Sequence, residues 1–166
     1  MPKIFRYDKE KLTRKKAKIP EFEWLTSCDL SQESNTKDFT CNIRVLEKGK
    51  YSYPYHFHRN AEELFVILKG KGKLRVPDGI FDITSGDIII FENGKTGAHQ
   101  VYNDSEESLV YLDLRTIHNI DVCEYPDSGK VNILPFKEIY YKGKQVDYFD
   151  GEDQVLKVWS NLLKKQ

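Results

Sequence analysis

Long apolar runs and an excess of charge of one sign are both missing from this sequence of 166 residues. No stretch approaches the roughly 20 apolar residues that a membrane-spanning helix needs, and the opening residues MPKIFRYDKEKL lack the apolar core of a signal peptide. The 26 basic and 26 acidic residues cancel, so nothing attracts nucleic acid or anionic lipid in general. We therefore expect a cytoplasmic protein that binds small molecules, with no nucleic-acid or membrane partner.

Cysteine is scarce as well. Cys28, Cys41 and Cys123 are odd in number and show no CxxC spacing, which fits a reduced compartment better than a disulfide framework. We interpret all three as packing thiols. The chain is long enough to bury one core, and a second domain has no room.

Short apolar or alternating stretches between residues 39 and 116, separated by glycines and polar turns, predict an antiparallel sheet protein. They read FTCNIRVL, ELFVILK, KLRV, DIII, AHQVY and SLVYLDL. Strands this short at even spacing are typical of a sandwich or barrel, and a jelly roll is one such arrangement. Residues 1–38 are expected to form an arm packed on this barrel, with SQESNTKD as a loop.

Residues 117–166 are interpreted as an extension of the same domain. An irregular segment, HNIDVCEYPDSGKVNILPF, comes first, and a closing amphipathic helix follows. Its apolar residues recur at helical spacing: Val155, Leu156, Trp159, Leu162 and Leu163. We expect this stripe to pack on the barrel.

Three histidines and one carboxylate carry the chemistry. His56 and His58 are two residues apart, which on a strand directs both rings to the same face. Glu63 follows across a short turn on the next strand, and His99 lies on AHQVY, which a jelly roll returns to the first strand. Four side chains can then face one ion, while alternation turns Glu62 away.

At this point the sequence resembles the cupin superfamily. The first motif of that family is matched by Gly49, His56, His58, Glu63 and Gly70, and the second by Gly86, Gly94, His99 and Asn103. Glu92 replaces the usual proline of the second motif, and the loop Lys95 to Ala98 is longer than usual. EYPDSGK and the tail also look like short bacterial cupins, some of which are labelled sugar phosphate isomerases.

The resemblance implies an all-β fold, the cupin double-stranded β-helix or jelly-roll barrel, with an N-terminal arm and a short C-terminal helix. It also implies a site in which His56, His58, Glu63 and His99 hold a divalent transition metal, such as Mn, Fe, Ni or Zn. The chemistry of these ligands agrees, although ligand type alone does not choose the metal.

Several residues outside the four ligands are candidates for the pocket wall. Phe65 shares the face of Glu63 and is expected to line the cavity. Tyr55, Tyr111 and His118 are further candidates. Arg44 and Arg75 are basic residues on strands that could meet an anionic substrate, but alternation does not decide which way they face.

The first functional hypothesis is a metal-dependent enzyme that isomerises a sugar or sugar phosphate, and an iron-dependent dioxygenase is the alternative. No acid or base is identifiable, which mildly favours a third reading, a non-enzymatic small-ligand-binding protein. A homodimer is expected, with the arm or EYPDSGK adding a strand to the sheet edge of a neighbour.

Overall fold

A computed structural model describes residues 1–143 and 145–163 of the chain, without the side chains of Val158, Ser160, Leu162 and Leu163. Within these residues the chain forms strands, two short α-helices and one 3-10 helix at Lys95–Gly97. The strands are β1 Thr13–Lys16, β2 Glu23–Thr26, β3 Phe39–Leu46, β4 Phe57–His58, β5 Glu63–Lys69, β6 Lys71–Val76, β7 Gly79–Thr84, β8 Ile88–Phe91, β9 Gln100–Tyr102, β10 Leu109–Thr116, β11 Asp121–Tyr125, β12 Lys130–Leu134 and β13 Glu138–Tyr141. The helices are α1 Leu30–Ser34 and α2 Val155–Leu163.

The strands form three antiparallel sheets. The largest has the order β1-β2-β3-β10-β5-β8, a second has the order β13-β12-β11-β4, and the third has the order β7-β6-β9. An isolated antiparallel bridge between His56 and His99, with N–H···O distances of 3.1 and 2.8 Å, connects the residue before β4 to the residue before β9. The two smaller sheets are therefore joined at two of the predicted metal ligands.

The main core lies between the largest sheet and the β7-β6-β9 sheet. It is formed by inward-facing apolar side chains: Leu46, Phe65, Ile67, Leu74, Ile83, Phe91, Val101, Leu109 and Tyr111. Alternation along β5 explains this division, because Glu63, Phe65 and Ile67 are buried while the residues between them are half-buried. The same alternation places Glu63 on the inner face.

The N-terminal segment covers the outer face of the largest sheet. A second apolar cluster there contains Leu30, Ile43 and Val45, with Phe5 and Leu12 packed against it. Helix α1 begins after Asp29, whose carboxylate accepts a hydrogen bond from the backbone N–H of Ser31 as an N-cap. The prediction that SQESNTKD is a loop was therefore wrong for its first four residues.

The polar turn after β9 is built around the motif residue Asn103. This side chain is fully buried, donates to the carbonyls of Leu46 and Glu107 at 2.8 Å each, and accepts from the backbone N–H of Ser105 at 2.9 Å. Every polar group of the amide has a partner, so Asn103 holds the turn to β10 in place.

The segment that was predicted to be irregular contains two strands, β11 and β12. Strand β11 pairs with β4, so that Cys123 lies opposite His58, and EYPDSGK closes the turn from β11 to β12. EYPDSGK is thus already part of a sheet within its own chain, which contradicts the expectation that it adds a strand to a neighbour. The arm likewise pairs with its own sheet, through β2 and β3, which leaves β1 at an edge.

The prediction of a closing helix is confirmed, but the prediction that its apolar stripe packs on the barrel was wrong for the described side chains. Val155, Leu156 and Trp159 are 50%, 81% and 59% exposed, so this part of the stripe does not pack on the barrel. The predicted fold class, an all-β jelly-roll barrel with a short C-terminal helix, is confirmed. Among the described residues, no helix combines the length and the apolar character needed to cross a bilayer.

Candidate functional site

Four side chains converge in the cavity between the sheets. His56 and His58 come from the segment that enters and forms β4, Glu63 begins β5, and His99 precedes β9. The Nε2 atoms of His99, His58 and His56 lie 3.1, 3.6 and 3.8 Å from Oε2 of Glu63. All four side chains are buried, so the cluster is shielded from bulk water.

Each histidine ring is held by a hydrogen bond on its far side, at Nδ1. The acceptors are the carbonyl oxygen of Pro54 for His56 at 2.9 Å, the carbonyl oxygen of Gly97 for His99 at 2.9 Å, and Oδ2 of Asp121 for His58 at 2.5 Å. An acceptor at Nδ1 fixes the proton on that nitrogen in a neutral ring. Nε2 of each ring then offers a lone pair to the cavity, toward the same carboxylate.

Two atoms at the centre of the cluster have no hydrogen-bond partner among the described residues. They are Oε2 of Glu63 and Nε2 of His99, and both are completely buried. Leaving a buried polar atom unpaired costs about 1–3 kcal/mol, so such atoms normally have a partner. A lone pair beside an acceptor oxygen suits a cation, and three imidazoles with a carboxylate are a known type of ligand set for divalent transition metals.

The charge states of the cluster agree with this chemistry. Burial, with a further contribution from His99, lowers the pKa of His56 to about 3, so the ring is neutral at physiological pH. Burial alone would raise the pKa of Glu63, but the surrounding imidazoles, His99 first, hold it below its ordinary value. Neutral imidazole and ionised carboxylate are the forms that bind metal.

Asp121 supports the site from outside the cluster, and sequence reasoning did not single it out. Besides His58, its carboxylate accepts a hydrogen bond from the backbone N–H of Asn60 at 3.1 Å. Burial would raise the pKa of Asp121, but the hydrogen bonds from His58 and from the backbone of Asn60 lower it to about 2. A carboxylate on the far nitrogen of a histidine orients the ring and makes it a better ligand.

His99 is oriented by a stacked phenylalanine and by a tight backbone contact. The Phe91 ring lies 3.8 Å from that of His99 at an interplanar angle of 19°. A Cβ on Gly97 would lie 1.8 Å from the carbonyl oxygen of Glu92, so only glycine fits the 3-10 turn whose carbonyl accepts from His99. The lengthened loop of the second motif thus still presents His99 to the cavity.

Cys123 is a second candidate ligand, which the interpretation of all three cysteines as packing thiols did not consider. Its buried sulfur and the histidine nitrogens of His56 and His58 lie within 4.8 Å of one another, a second candidate ligand triad that overlaps the first. Burial raises the pKa of this thiol to about 12. Cys28 is exposed, and its thiol donates to Oε1 of Glu33 at 2.7 Å.

The cluster lies in a cavity of about 280 Å³. Polar side chains from other strands share its wall: Asn42, Arg44, Tyr53, Asp113, Arg115, Tyr125 and Asn132. Nε of Arg44 donates to Oδ2 of Asp113 at 3.0 Å; Asp113 is buried and Arg44 is half-buried. Burial raises the pKa of Asp113 and the charge of Arg44 opposes that rise. The cavity is at the small end of ligand pockets, which measure roughly 300–1,000 Å³.

The predicted wall residues divide into one that lines this cavity and three that do not. Phe65 lines it. Tyr111 lies behind Phe65 in the core, with ring centroids 4.9 Å apart. Tyr55 lies in a surface depression, 3.9 Å beneath the guanidinium of Arg75, and His118 is exposed beside a second cavity. The alternation of residues along a strand predicts which side chains face inward, but it does not predict which end of the barrel holds the cavity.

The two strand arginines likewise have different positions. Arg44 lines the cavity, whereas Arg75 forms an exposed ion pair with Asp127, at 2.6 Å, away from the cluster. Glu62 is exposed, as alternation predicts.

Comparisons with known proteins agree with the fold. A family described as "Cupin domain" matches residues 42–115. The chain is similar to a protein from Acidithiobacillus ferrooxidans that is provisionally described as a sugar phosphate isomerase, with 25% identity, a TM-score of 0.75, and coverage of 84% of this chain and 92% of that one. No curated protein matches the chain.

Two further solved structures share the fold at lower identity. A sugar phosphate isomerase of the cupin superfamily from Silicibacter pomeroyi has 19% identity and a TM-score of 0.72, over 89% of this chain and 98% of that one. A predicted oxalate decarboxylase from Thermotoga maritima has 18% identity and a TM-score of 0.58, over 70% and 100%. The family match over the barrel, the jelly-roll topology and these likenesses show that the chain has the cupin fold.

Proposed function

We propose that the chain binds a divalent transition metal ion through His56, His58, Glu63 and His99, and that a small polar ligand reaches the ion from the cavity. The observation that carries this proposal is the pair of buried, unpartnered atoms, Oε2 of Glu63 and Nε2 of His99. The fixed Nδ1 protons mean that no ring can donate toward the carboxylate. A cation satisfies all four groups at once.

The ligand set narrows the metal without naming it. Imidazole and carboxylate suit Mn, Fe, Ni or Zn. The order of affinities among these divalent metals depends mainly on the metal ion and little on the protein site, so the ligands do not identify the metal. Four protein ligands leave open positions on an ion of five- or six-fold coordination. When bound there, such an ion supplies polarisation of a carbonyl or hydroxyl oxygen of the ligand.

Glu62 and Glu63 give a matched test of the metal site. The purified protein, Glu63→Gln and Glu62→Gln are analysed for transition metals after loading with zinc and desalting. We expect stoichiometric metal in the parent protein and in Glu62→Gln, and a loss of most of it in Glu63→Gln. Equal metal in the two variants contradicts the site.

Isomerisation of a small sugar phosphate is the reaction that we propose first. The likeness to the Acidithiobacillus ferrooxidans protein supports it, and so does Asp113, a buried carboxylate on the cavity wall. A carboxylate with a raised pKa suits a general base that takes a proton from carbon beside a carbonyl and returns it to the neighbouring carbon. Tyr53 and Tyr125 stay protonated because burial raises their pKa, so they can donate hydrogen bonds to ligand oxygens.

Solvent exchange tests this reaction. An isomerase that moves a proton through Asp113 incorporates deuterium from D₂O into the carbon-bound position of a pentose or hexose phosphate, which NMR detects. Asp113→Asn should slow incorporation about 10²- to 10⁴-fold while metal content is unchanged. Circular dichroism checks that the variant folds. Oxygen consumption without exchange would favour the dioxygenase, and ligand binding without either would favour a binding protein.

We also propose that two copies associate through the edge strand β8. Ile88 and Ile90 on this strand are 67% and 72% exposed, which is unusual for large aliphatic side chains on a sheet edge. Sedimentation of the parent protein should give a dimer at micromolar concentration, and Ile88→Lys with Ile90→Lys should give a monomer. A monomeric parent protein contradicts this assembly.

A further inference from the structure

A second cavity adjoins the one that holds the histidines. Its volume is about 320 Å³, and its wall shares Thr40, Arg115 and Leu134 with the inner cavity. Arg115 stands directly across from Glu63 in the pairing of β10 with β5, which places both side chains on the same face of the sheet. We call the second space the outer cavity, lined also by His118, Asp121 and Lys137.

The wall of the outer cavity carries two cationic side chains, Arg115 and Lys137, and one carboxylate, Asp121. Arg115 and Lys137 each have no ion pair and no side-chain hydrogen bond among those residues, although Arg115 is half-buried. The acidic residue of this wall, Asp121, is already engaged by His58 and by the backbone of Asn60. The unpaired cations therefore face open space.

Two other arginines on the strands have hydrogen-bond partners for their guanidinium groups. Arg44 has Asp113 and the hydroxyl of Thr26, at 3.0 and 2.6 Å. Arg75 has both oxygens of Asp127. A guanidinium offers five donors in a fork that fits carboxylate or phosphate, and Arg115 leaves that fork free beside the candidate metal site.

The charge of the inner cavity points the same way. Asp113 is balanced by Arg44, and Glu63 balances one of the two charges of a divalent ion. The remaining charge of the ion, together with Arg115 and Lys137, exceeds the single negative charge of Asp121 and favours an anionic ligand.

We propose that the outer cavity is an oxyanion subsite, in which Arg115, assisted by Lys137 and His118, binds the carboxylate or phosphate group of a small bifunctional ligand. The other end of that ligand carries a carbonyl or hydroxyl oxygen and reaches the metal in the inner cavity. This inference rests on the proposed metal site for its second half and names the substrate class of that site: a short anionic oxygen compound.

Three probes that share a carbonyl test the subsite by calorimetry: glycolaldehyde, which is neutral, glyoxylate, which carries a carboxylate, and glycolaldehyde phosphate. Zinc-loaded protein should bind at least one anion about tenfold or more tightly than glycolaldehyde. The anion that binds more tightly shows whether the subsite prefers a carboxylate or a phosphate group. Arg115→Gln should weaken the binding of that anion by about 10- to 100-fold, because a charge-assisted pair is lost.

The matched controls are Arg75→Gln, whose arginine lies outside both cavities, and Arg115→Lys, which keeps the charge without the fork. Arg75→Gln should bind like the parent protein, and Arg115→Lys should lie between the parent protein and Arg115→Gln. The proposal is overturned if Arg115→Gln binds both anions as the parent protein does, or if glycolaldehyde binds as tightly as the anions.

Metal content of the same samples separates this inference from the proposed function. Normal metal without anion preference contradicts the subsite alone. If the parent protein holds no metal, the proposed metal site fails, and the titration of metal-free protein with glycolaldehyde phosphate decides the subsite. Weaker binding by Arg115→Gln then supports it, and equal binding overturns it.

Discussion

The barrel strands β3 to β10 and the C-terminal strands β11 to β13 contribute to the candidate site in different ways. The barrel region carries the four side chains that point at one another. The C-terminal strands carry Asp121, which holds one of those side chains, and Cys123, which faces the cavity beside them. The geometry of the ligands in the barrel region thus depends on strand β11, which pairs with that region only at β4.

The largest effect on stability is expected from a truncation in the barrel core. Leu46 is completely buried in the main core. Leu46→Ala should lower the free energy of unfolding by about 2–5 kcal/mol, since it removes buried apolar atoms and leaves a cavity. Urea denaturation measures it. A loss below about 1 kcal/mol would mean that this core does not carry the stability of the fold.

A second variant removes the contribution of β11 to the metal site. Asp121→Asn keeps the shape of the side chain but removes the charge that faces Nδ1 of His58. We expect metal affinity, measured by competition with a chelator, to fall about 10- to 100-fold. Asp127→Asn, on the turn that follows β11, is the control and should bind metal normally. Equal affinity in both variants would show that the C-terminal strands do not support the site.

A third variant tests the lengthened loop before β9. Gly97→Ala places a methyl group against the carbonyl of Glu92 and should destabilise the protein by about 1–3 kcal/mol, with partial loss of metal as His99 shifts. Gly143→Ala has nothing within 4 Å of the added atom and serves as the control. Thermal unfolding and metal analysis together report the result, and unchanged values in Gly97→Ala would contradict the tight contact.

The smallest effect is expected at the closing helix. Leu156 is 81% exposed, so Leu156→Ala should change the free energy of unfolding by no more than about 0.5 kcal/mol. The same truncation at Leu46 is the comparison. A loss of 2 kcal/mol or more would mean that the stripe is covered in solution.

Sequence reasoning worked where the signal was local. The alternation of His56, Phe57 and His58 and the apolar runs of β3, β5 and β10 follow a period of two residues, bounded by glycine turns. His99 lies near His56 and His58 because of long-range strand pairing. Sequence spacing alone does not predict that pairing, and the family motif supplied the prediction.

The strand β11 escaped prediction because its buried positions are polar. Asp121 and Glu124 are buried, and each has partners from distant segments: His58 for the first, Arg59 and Lys142 for the second. A binary pattern of apolar and polar residues cannot reveal a strand in which two of the buried positions are carboxylates held by tertiary contacts. Arg115 escaped notice for a related reason, since an unpaired cation is recognised only when its surroundings are known.

In the proposed site three imidazoles and a carboxylate, and not Cys123, hold the ion. X-ray absorption spectroscopy of the zinc-loaded protein tests it directly. We expect nitrogen and oxygen neighbours at about 2.0–2.1 Å with the multiple scattering of imidazole, unchanged in Cys123→Ser. A sulfur neighbour at about 2.3 Å that disappears in Cys123→Ser would contradict it.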